Sequence, residues 1–266
     1  MSATLRVRLL VAAATLIGAG SVVGVVLATR QTPTQPRAAC KTAPKPIVVA
    51  GLPTGNVTAV RAALGKRDVP ALEQLARDYP KDPIVQFNFA TLLLCQGYSA
   101  DAVDAYRQAK RAGRDTFYEV EADNILHPQF FHPANTAGYP LFQPTGHDPL
   151  LERGLALQRE FHQHSAEVLY LEAARLHPND PDAQVAAAVG RFDEDNLSAS
   201  FSHLGPLVKR FPKAQTVRFH LGLLLAWTGQ KKLAIQEFGD AVALGRKTTQ
   251  GQEATAFLRG LESGGG

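Results

Sequence analysis

Small and large apolar residues recur along this chain in blocks of 34 residues, and the recurrence predicts pairs of packed helices. The block beginning at His147 offers Gly154, Leu157, Ala166, Tyr170, Ala173 and Pro178 in order. The block beginning at Gln215 offers Leu221, Gly222, Leu225, Gly229, Ala234, Phe238 and Ala241 at matching offsets, and one beginning at Pro83 offers Phe89, Ala90, Leu93, Gly97, Ala102, Tyr106 and Ala109. Two antiparallel helices approach closely only where small side chains face each other, and large ones between them fill the remaining space. Gly97 and Gly229 fall where the first helix of a pair must stop, the favoured place for a left-handed residue. Tyr79-Pro80, His177-Pro178 and Phe211-Pro212 end second helices, because proline cannot continue them.

The block beginning at Pro181 departs from the pattern. Ser200 and Leu207 stand where alanines are expected, and Gly205-Pro206 predicts a kink or break inside its second helix. Residues 56–79 read as a degenerate opening pair, with Val57–Leu64 followed by Pro70–Arg77. Gln250 to Leu261 reads as a final amphipathic helix covering the last apolar face, as terminal repeats require for solubility.

These residues resemble the tetratricopeptide repeat (TPR) family over roughly residues 56–248, with one interruption. The resemblance implies an all-α fold, a right-handed α-solenoid of helix hairpins, and the layout is similar to membrane-anchored TPR proteins of the bacterial type. Six stretches follow: an anchor or signal segment (1–30), a Pro-rich basic linker (31–55), the degenerate pair with the first clear repeat (56–113), an insertion (114–146), three TPR-like repeats (147–248), and a capping helix with its tail (249–266). In such a solenoid the first helix of each pair lines the concave face. The inward candidates are Phe87, Asn88, Thr91 and Leu94, then Leu155 and Gln158, then Val185, Val189 and Phe192, then Phe219, His220, Leu223 and Trp227. Family members that grip a C-terminal carboxylate carry basic residues and asparagine at these places, whereas Phe87, Leu151, Val185 and Phe219 stand here. An apolar groove holding a helix or hydrophobic segment is therefore expected, with Phe192, Phe219 and Trp227 as anchors. Packing between repeats is the alternative for several of them, and for Trp227 the two readings are equal.

Leu9 through Ala28 is a run of twenty residues without a charge, bracketed by Arg8 and Arg30. At about 1.5 Å per residue such a helix spans a hydrocarbon core of roughly 30 Å. The length favours a single-pass anchor through residues 9–28 over a cleaved signal peptide and a secreted product. Basic residues flank both sides; the short basic tail favours export of the helical part, against a linker count that leans the other way. Gly20 and Gly24 would allow two anchors to pack, but glycine is common in membrane helices and that plain reading is favoured; self-association into a homo-oligomer, through the anchor or the insertion, is an alternative.

The formal charge of +4 is unevenly placed. Nine of the 28 basic residues precede the first acid, Asp68, which leaves 19 against all 24 acids in the remainder. That mildly acidic remainder lacks the basic stripe of a nucleic-acid binder. Two cysteines, Cys40 and Cys95, are too few for a disulfide scaffold or zinc cluster. With Cys40 placed in a linker, two unpaired thiols are favoured over a bridge.

The insertion is rich in proline and aromatics, and Phe130, Phe131, Tyr139 and Phe142 want burial. They can pack on the solenoid itself, lie in its groove as an internal peptide mimic, or contact a partner. His127, His132, His147, His162 and His164 lack ligand spacing, so neither a metal nor any other cofactor is expected; a metal or catalytic site built by residues 127–147 is the alternative. Asp193, Glu194 and Asp195 read as a solvated turn. No nucleophile elbow, phosphate loop or H-E-x-x-H is present, so the expectation is a scaffold or assembly factor that binds a protein or peptide, and not an enzyme.

Overall fold

Aspartate with a proline one or two residues later starts four of the helices. Asp82 Oδ1 accepts the backbone N–H groups of Ile84 and Val85 at 2.9 and 3.2 Å, and Asp148 Oδ1 does the same for Leu150 and Leu151. Asp68 and Asp180 cap their helices likewise, each with a proline in the first turn, where the missing N–H costs nothing. The structure, a computed structural model, describes residues 40–49, 55–128 and 141–263, all within one unit running from Pro36 to Gly266. Among them are thirteen helical segments and no strand: α1 (Val57–Lys66), α2 (Val69–Asp78), α3 (Pro83–Cys95), α4 (Ser99–Ala112), α5 (Phe117–Leu126), α6 (Pro149–Arg159), α7 (Gln163–Leu176), α8 (Pro181–Gly190), α9 (Leu197–Leu204), α10 (Leu207–Arg210), α11 (Gln215–Trp227), α12 (Lys231–Gly245) and α13 (Thr249–Ser263).

Neighbours in sequence pack on one another: α3 on α4, α6 on α7, α7 on α8, α11 on α12 and α12 on α13. This all-α arrangement of sequential pairs is consistent with a helical repeat. The small-to-large spacing explains how the pairs close. A Cβ added at Gly154 would lie 2.3 Å from Cε1 of Tyr170, and one at Gly222 would lie 2.8 Å from Cδ1 and Cε1 of Phe238. Ala90 and Tyr106 hold the same two offsets in the first block, both buried in one cluster.

The turn between paired helices also repeats. Gly97 and Gly229 are left-handed, at φ 84° and 73°, and the next residue's N–H reaches back to Leu93 or Leu225. Phe161 does the same work at φ 67°, with His162 N–H reaching Leu157 O, although an L side chain there costs about 1 kcal/mol. Its ring is held edge-on against Phe117 at 5.3 Å.

Gly205-Pro206 separates α9 from α10, the break that proline imposes. The last helix, α13, covers α12 with Phe257 stacked on Phe238 at 5.1 Å. One core, of two adjoining clusters, lies within α1 to α5, and another, which takes in Phe142, lies within α6 to α13. They meet at Asp115, whose carboxylate accepts the backbone N–H groups of His164 and Ser165 at 2.8 and 3.2 Å. It thereby caps α7, whose own N-cap residue, His162, makes no side-chain cap. The apolar run 9–28 lies outside the described residues, and no helix among the described ones is long and apolar enough to cross a membrane.

Candidate functional site

Two non-helical stretches of the chain lie against the first-helix faces, and polar side chains hold their backbones. A buried backbone amide must find a partner, and a segment outside helix or sheet finds it in side chains. In the stretch 40–49, Ile47 N–H donates to Asn88 Oδ1 at 2.9 Å, while Asn88 Nδ2 donates back to Ile47 O at 3.0 Å. Tyr118 Oη–H donates to Ile47 O at 3.0 Å, and Val49 N–H donates to the same hydroxyl at 3.2 Å. Arg67 Nη2 holds Cys40 O and Lys41 O at 3.2 and 2.9 Å. Asn88 and Phe87 are fully buried, the Phe87 ring lying between Tyr106 and Tyr118 at 5.5 Å from each.

The second stretch begins after the insertion. Phe142 N–H donates to Gln158 Oε1 at 3.1 Å, Gln143 N–H to His220 Nε2 at 3.0 Å, and Thr145 N–H to Asp182 Oδ2 at 2.7 Å. Gln250 Nε2 closes the pattern on Gln143 O at 2.7 Å. The Phe142 ring is stacked on His220 at 5.3 Å and meets Tyr170 edge-on at 5.4 Å. His220 Nδ1 faces Thr216 O at 2.7 Å and must donate its proton there, which leaves Nε2 free to accept. Burial pushes this imidazole down to about 4, so it stays neutral and keeps that acceptor.

Asn88 and His220 occupy the same offset of the repeat, one residue before Phe89 and Leu221, and both read a main-chain N–H. Tyr118, Asp182 and Gln250 are absent from the sequence-based set. A signal was available for two of them: Asp182, Thr216 and Gln250 are buried polar residues spaced 34 apart.

The open apolar groove expected from sequence is not what the described residues form. Of the thirteen inward candidates, Phe87, Asn88, Gln158, Val185, Val189, Phe192, Phe219, His220, Leu223 and Trp227 are buried, Thr91 (its hydroxyl on Phe87 O at 2.9 Å) and Leu155 are half-buried, and Leu94 is exposed. Val189, Phe192, Phe219, Leu223 and Trp227 pack within the second core, Phe192 edge-on to Trp227 at 6.1 Å. The reason is that the chain's own segments and neighbouring repeats cover the face, so its apolar residues became core. Phe142 packs on Tyr170 and His220 within that core; Phe130, Phe131 and Tyr139 lie outside the described residues.

A second cluster joins α5 to the turn after α8. His127 Nδ1 lies 3.0 Å from Asp123 Oδ1 and 3.1 Å from Glu194 Oε2, and its Nε2 lies 3.1 Å from Asp195 Oδ1. Lys110 Nζ bridges Asp123 and Asp195 at 2.7 and 2.8 Å, and the two carboxylates hold its pKa above the ordinary lysine value against the effect of burial. Glu194, expected in a solvated turn, is 4% exposed, and burial with the adjacent Asp123 carboxylate pushes it up to about 8. One ligand atom each from Asp123, His127 and Glu194 lie within 4.8 Å of one another, so these three could hold a metal ion. His132 lies outside the described residues; His162 is spent on Asp115 O at 2.8 Å, His164 on Glu119 Oε1 at 2.8 Å, and His147 pairs with Glu152 on the surface.

No protein-family model matches this chain, and no curated protein matches it.

Proposed function

We propose that this chain is a TPR-type interaction scaffold, anchored through residues 9–28 with its helical part outside the cytoplasm, which binds a non-helical segment of a partner protein on its first-helix face. The observation that carries the reading is the two-point grip of Asn88 on the Ile47 backbone, reinforced by Tyr118. Main-chain recognition is nearly blind to the side chains of the bound segment, so a foreign segment can take the place of the chain's own. The matching use of Gln158, His220 and Gln250 on Phe142 and Gln143 supports a surface suited to peptide backbones along both cores.

The test is a full chain in which residues 40–49 are replaced by a Gly/Ser stretch of equal length. A labelled peptide of the native 40–49 sequence should bind it saturably, and Asn88→Ala should abolish that binding. Partners cross-linked through a photoreactive residue at Thr91 should also increase over the native chain. A peptide that fails to bind, together with unchanged cross-linking, refutes the proposal.

A second reading, a metal-binding protein, has its own observation in Asp123, His127 and Glu194. A mixed nitrogen and oxygen set suits zinc, manganese or iron. Elemental analysis of protein purified without chelators decides it: about one metal per chain, lost in Glu194→Gln and Asp123→Asn, favours this reading, and metal-free native protein rejects it.

A further inference from the structure

The only two cysteines of the chain stand 55 residues apart in sequence and meet in the fold. Cys95 is the last residue of α3 and is buried; Cys40 opens the non-helical stretch against it and is half-buried. Cys40 N–H donates to Cys95 O at 3.1 Å. One such bond, at 3.1 Å between nitrogen and oxygen, keeps the two Cα atoms within about 7 Å. That limit lies close to the top of the roughly 4.4–6.8 Å range that a disulfide spans. Cys95 Sγ also turns toward the same stretch, 4.0 Å from Thr42 O, two residues beyond Cys40. Cys40 is held in place from the other side by Arg67, which binds its carbonyl, and seven residues further on by the grip of Asn88 on Ile47.

We propose that Cys40 and Cys95 form an intramolecular disulfide that clips the stretch 40–49 to the C-terminal end of α3. The sequence places Cys40 in a linker, which favoured two unpaired thiols; both thiols are unpaired in the structure, but Cys40 is held against the end of α3. The inference is independent of the scaffold reading, since the clip closes whether or not a foreign segment can bind.

The oxidant is a disulfide, either a small-molecule one or that of a thiol oxidoreductase. The Cys40 thiolate attacks one of its sulfurs, forming a mixed disulfide and expelling the other sulfur as a thiolate. The Cys95 sulfur then attacks the Cys40 sulfur, forming the Cys40–Cys95 bond and expelling the second thiolate. Two electrons pass to the oxidant, and the two cysteine protons end on its two thiols. The order follows from access. Cys40 is the reachable sulfur, while burial and the neighbouring Cys40 push the Cys95 thiol up to about 11, so Cys95 is the poorer first nucleophile.

The experiment uses the full chain, purified in detergent and equilibrated with mixtures of reduced and oxidised glutathione. Acid quenching and alkylation with a mass-tagged maleimide count the free thiols. The expected result is zero tags before reduction and two after it, with a cross-linked peptide pair, containing Cys40 and Cys95, two hydrogens lighter than the reduced pair. Closure after addition of oxidised glutathione should slow at least tenfold in Asn88→Ala, a variant that keeps both cysteines but loosens the segment carrying Cys40. Two tags at every glutathione ratio would overturn the proposal. So would glutathione remaining on Cys40, or a bridge between two copies of the chain.

Discussion

Replacing Asn88 by alanine should release the stretch 40–49 while leaving the helices in place. Asn88 makes three hydrogen bonds: two to Ile47 and one, from Nδ2, to Ile84 O at 2.8 Å. The Ile84 carbonyl keeps its helical partner, and Ile47 O keeps the Tyr118 hydroxyl, so the group left without a partner is Ile47 N–H. Two net hydrogen bonds are worth about 1 kcal/mol each, and an orphaned buried donor costs about 1–3 kcal/mol. The segment escapes the larger figure by lifting off, so a loss of about 2–3 kcal/mol is expected. In local opening that corresponds to amide exchange at Ile47 and Val49 faster by about 30- to 150-fold. Hydrogen exchange under reducing conditions, read by NMR or mass spectrometry, measures it directly, with the α3 amides as internal control. Unchanged protection at Ile47 would refute the backbone pairing. An equal loss throughout α3 would make Asn88 a core residue instead of a clamp.

Gly222→Ala and Gly154→Ala should each destabilise by about 1–3 kcal/mol in urea unfolding, because overpacking against Phe238 and Tyr170 outweighs the better helix propensity of alanine. Asp115→Ala removes the cap that the first core supplies to α7 and should cost about 1–2 kcal/mol, splitting one unfolding transition towards two. The pH dependence follows from His220: unfolded, it takes a proton near its ordinary value of 6.5, and buried only at about 4, so the unfolded chain binds more protons in between. Its contribution is full above 6.5 and is lost as pH falls towards 4, on the order of 3 kcal/mol. Thermal midpoints measured from pH 7 to 4.5 should fall for the native chain and flatten in His220→Gln. His164 works in the opposite direction, since the Glu119 hydrogen bond raises its pKa: its contribution is present below 6.5 and fades as pH rises through the folded value.

The helices themselves were readable before any coordinate. Gly154 against Tyr170, the left-handed turns at Gly97 and Gly229, the break at Gly205-Pro206 and the covering helix α13 all follow from local steric size, backbone preference and a short period. Phe161 was not readable as a turn residue, because a phenylalanine gives no sign of a left-handed conformation until Phe117 is seen to hold it. The site was half readable. Asn88, Gln158 and His220 were placed on the inner face by register, but their role was assigned to an open apolar groove. What they bind lies 41, 16 and 77 residues away, in stretches whose own sequence carries no period.

A helix satisfies its backbone from within four residues, so the sequence alone can specify it. The non-helical stretches 40–49 and 141–146 must find partners elsewhere in the molecule, and only the packing of the repeats brings those partners into reach. The same packing set Cys40 beside Cys95 and put Glu194 into the interior beside His127. Local chemistry thus determined the repeating hairpins, and tertiary contact decided what their inner faces hold.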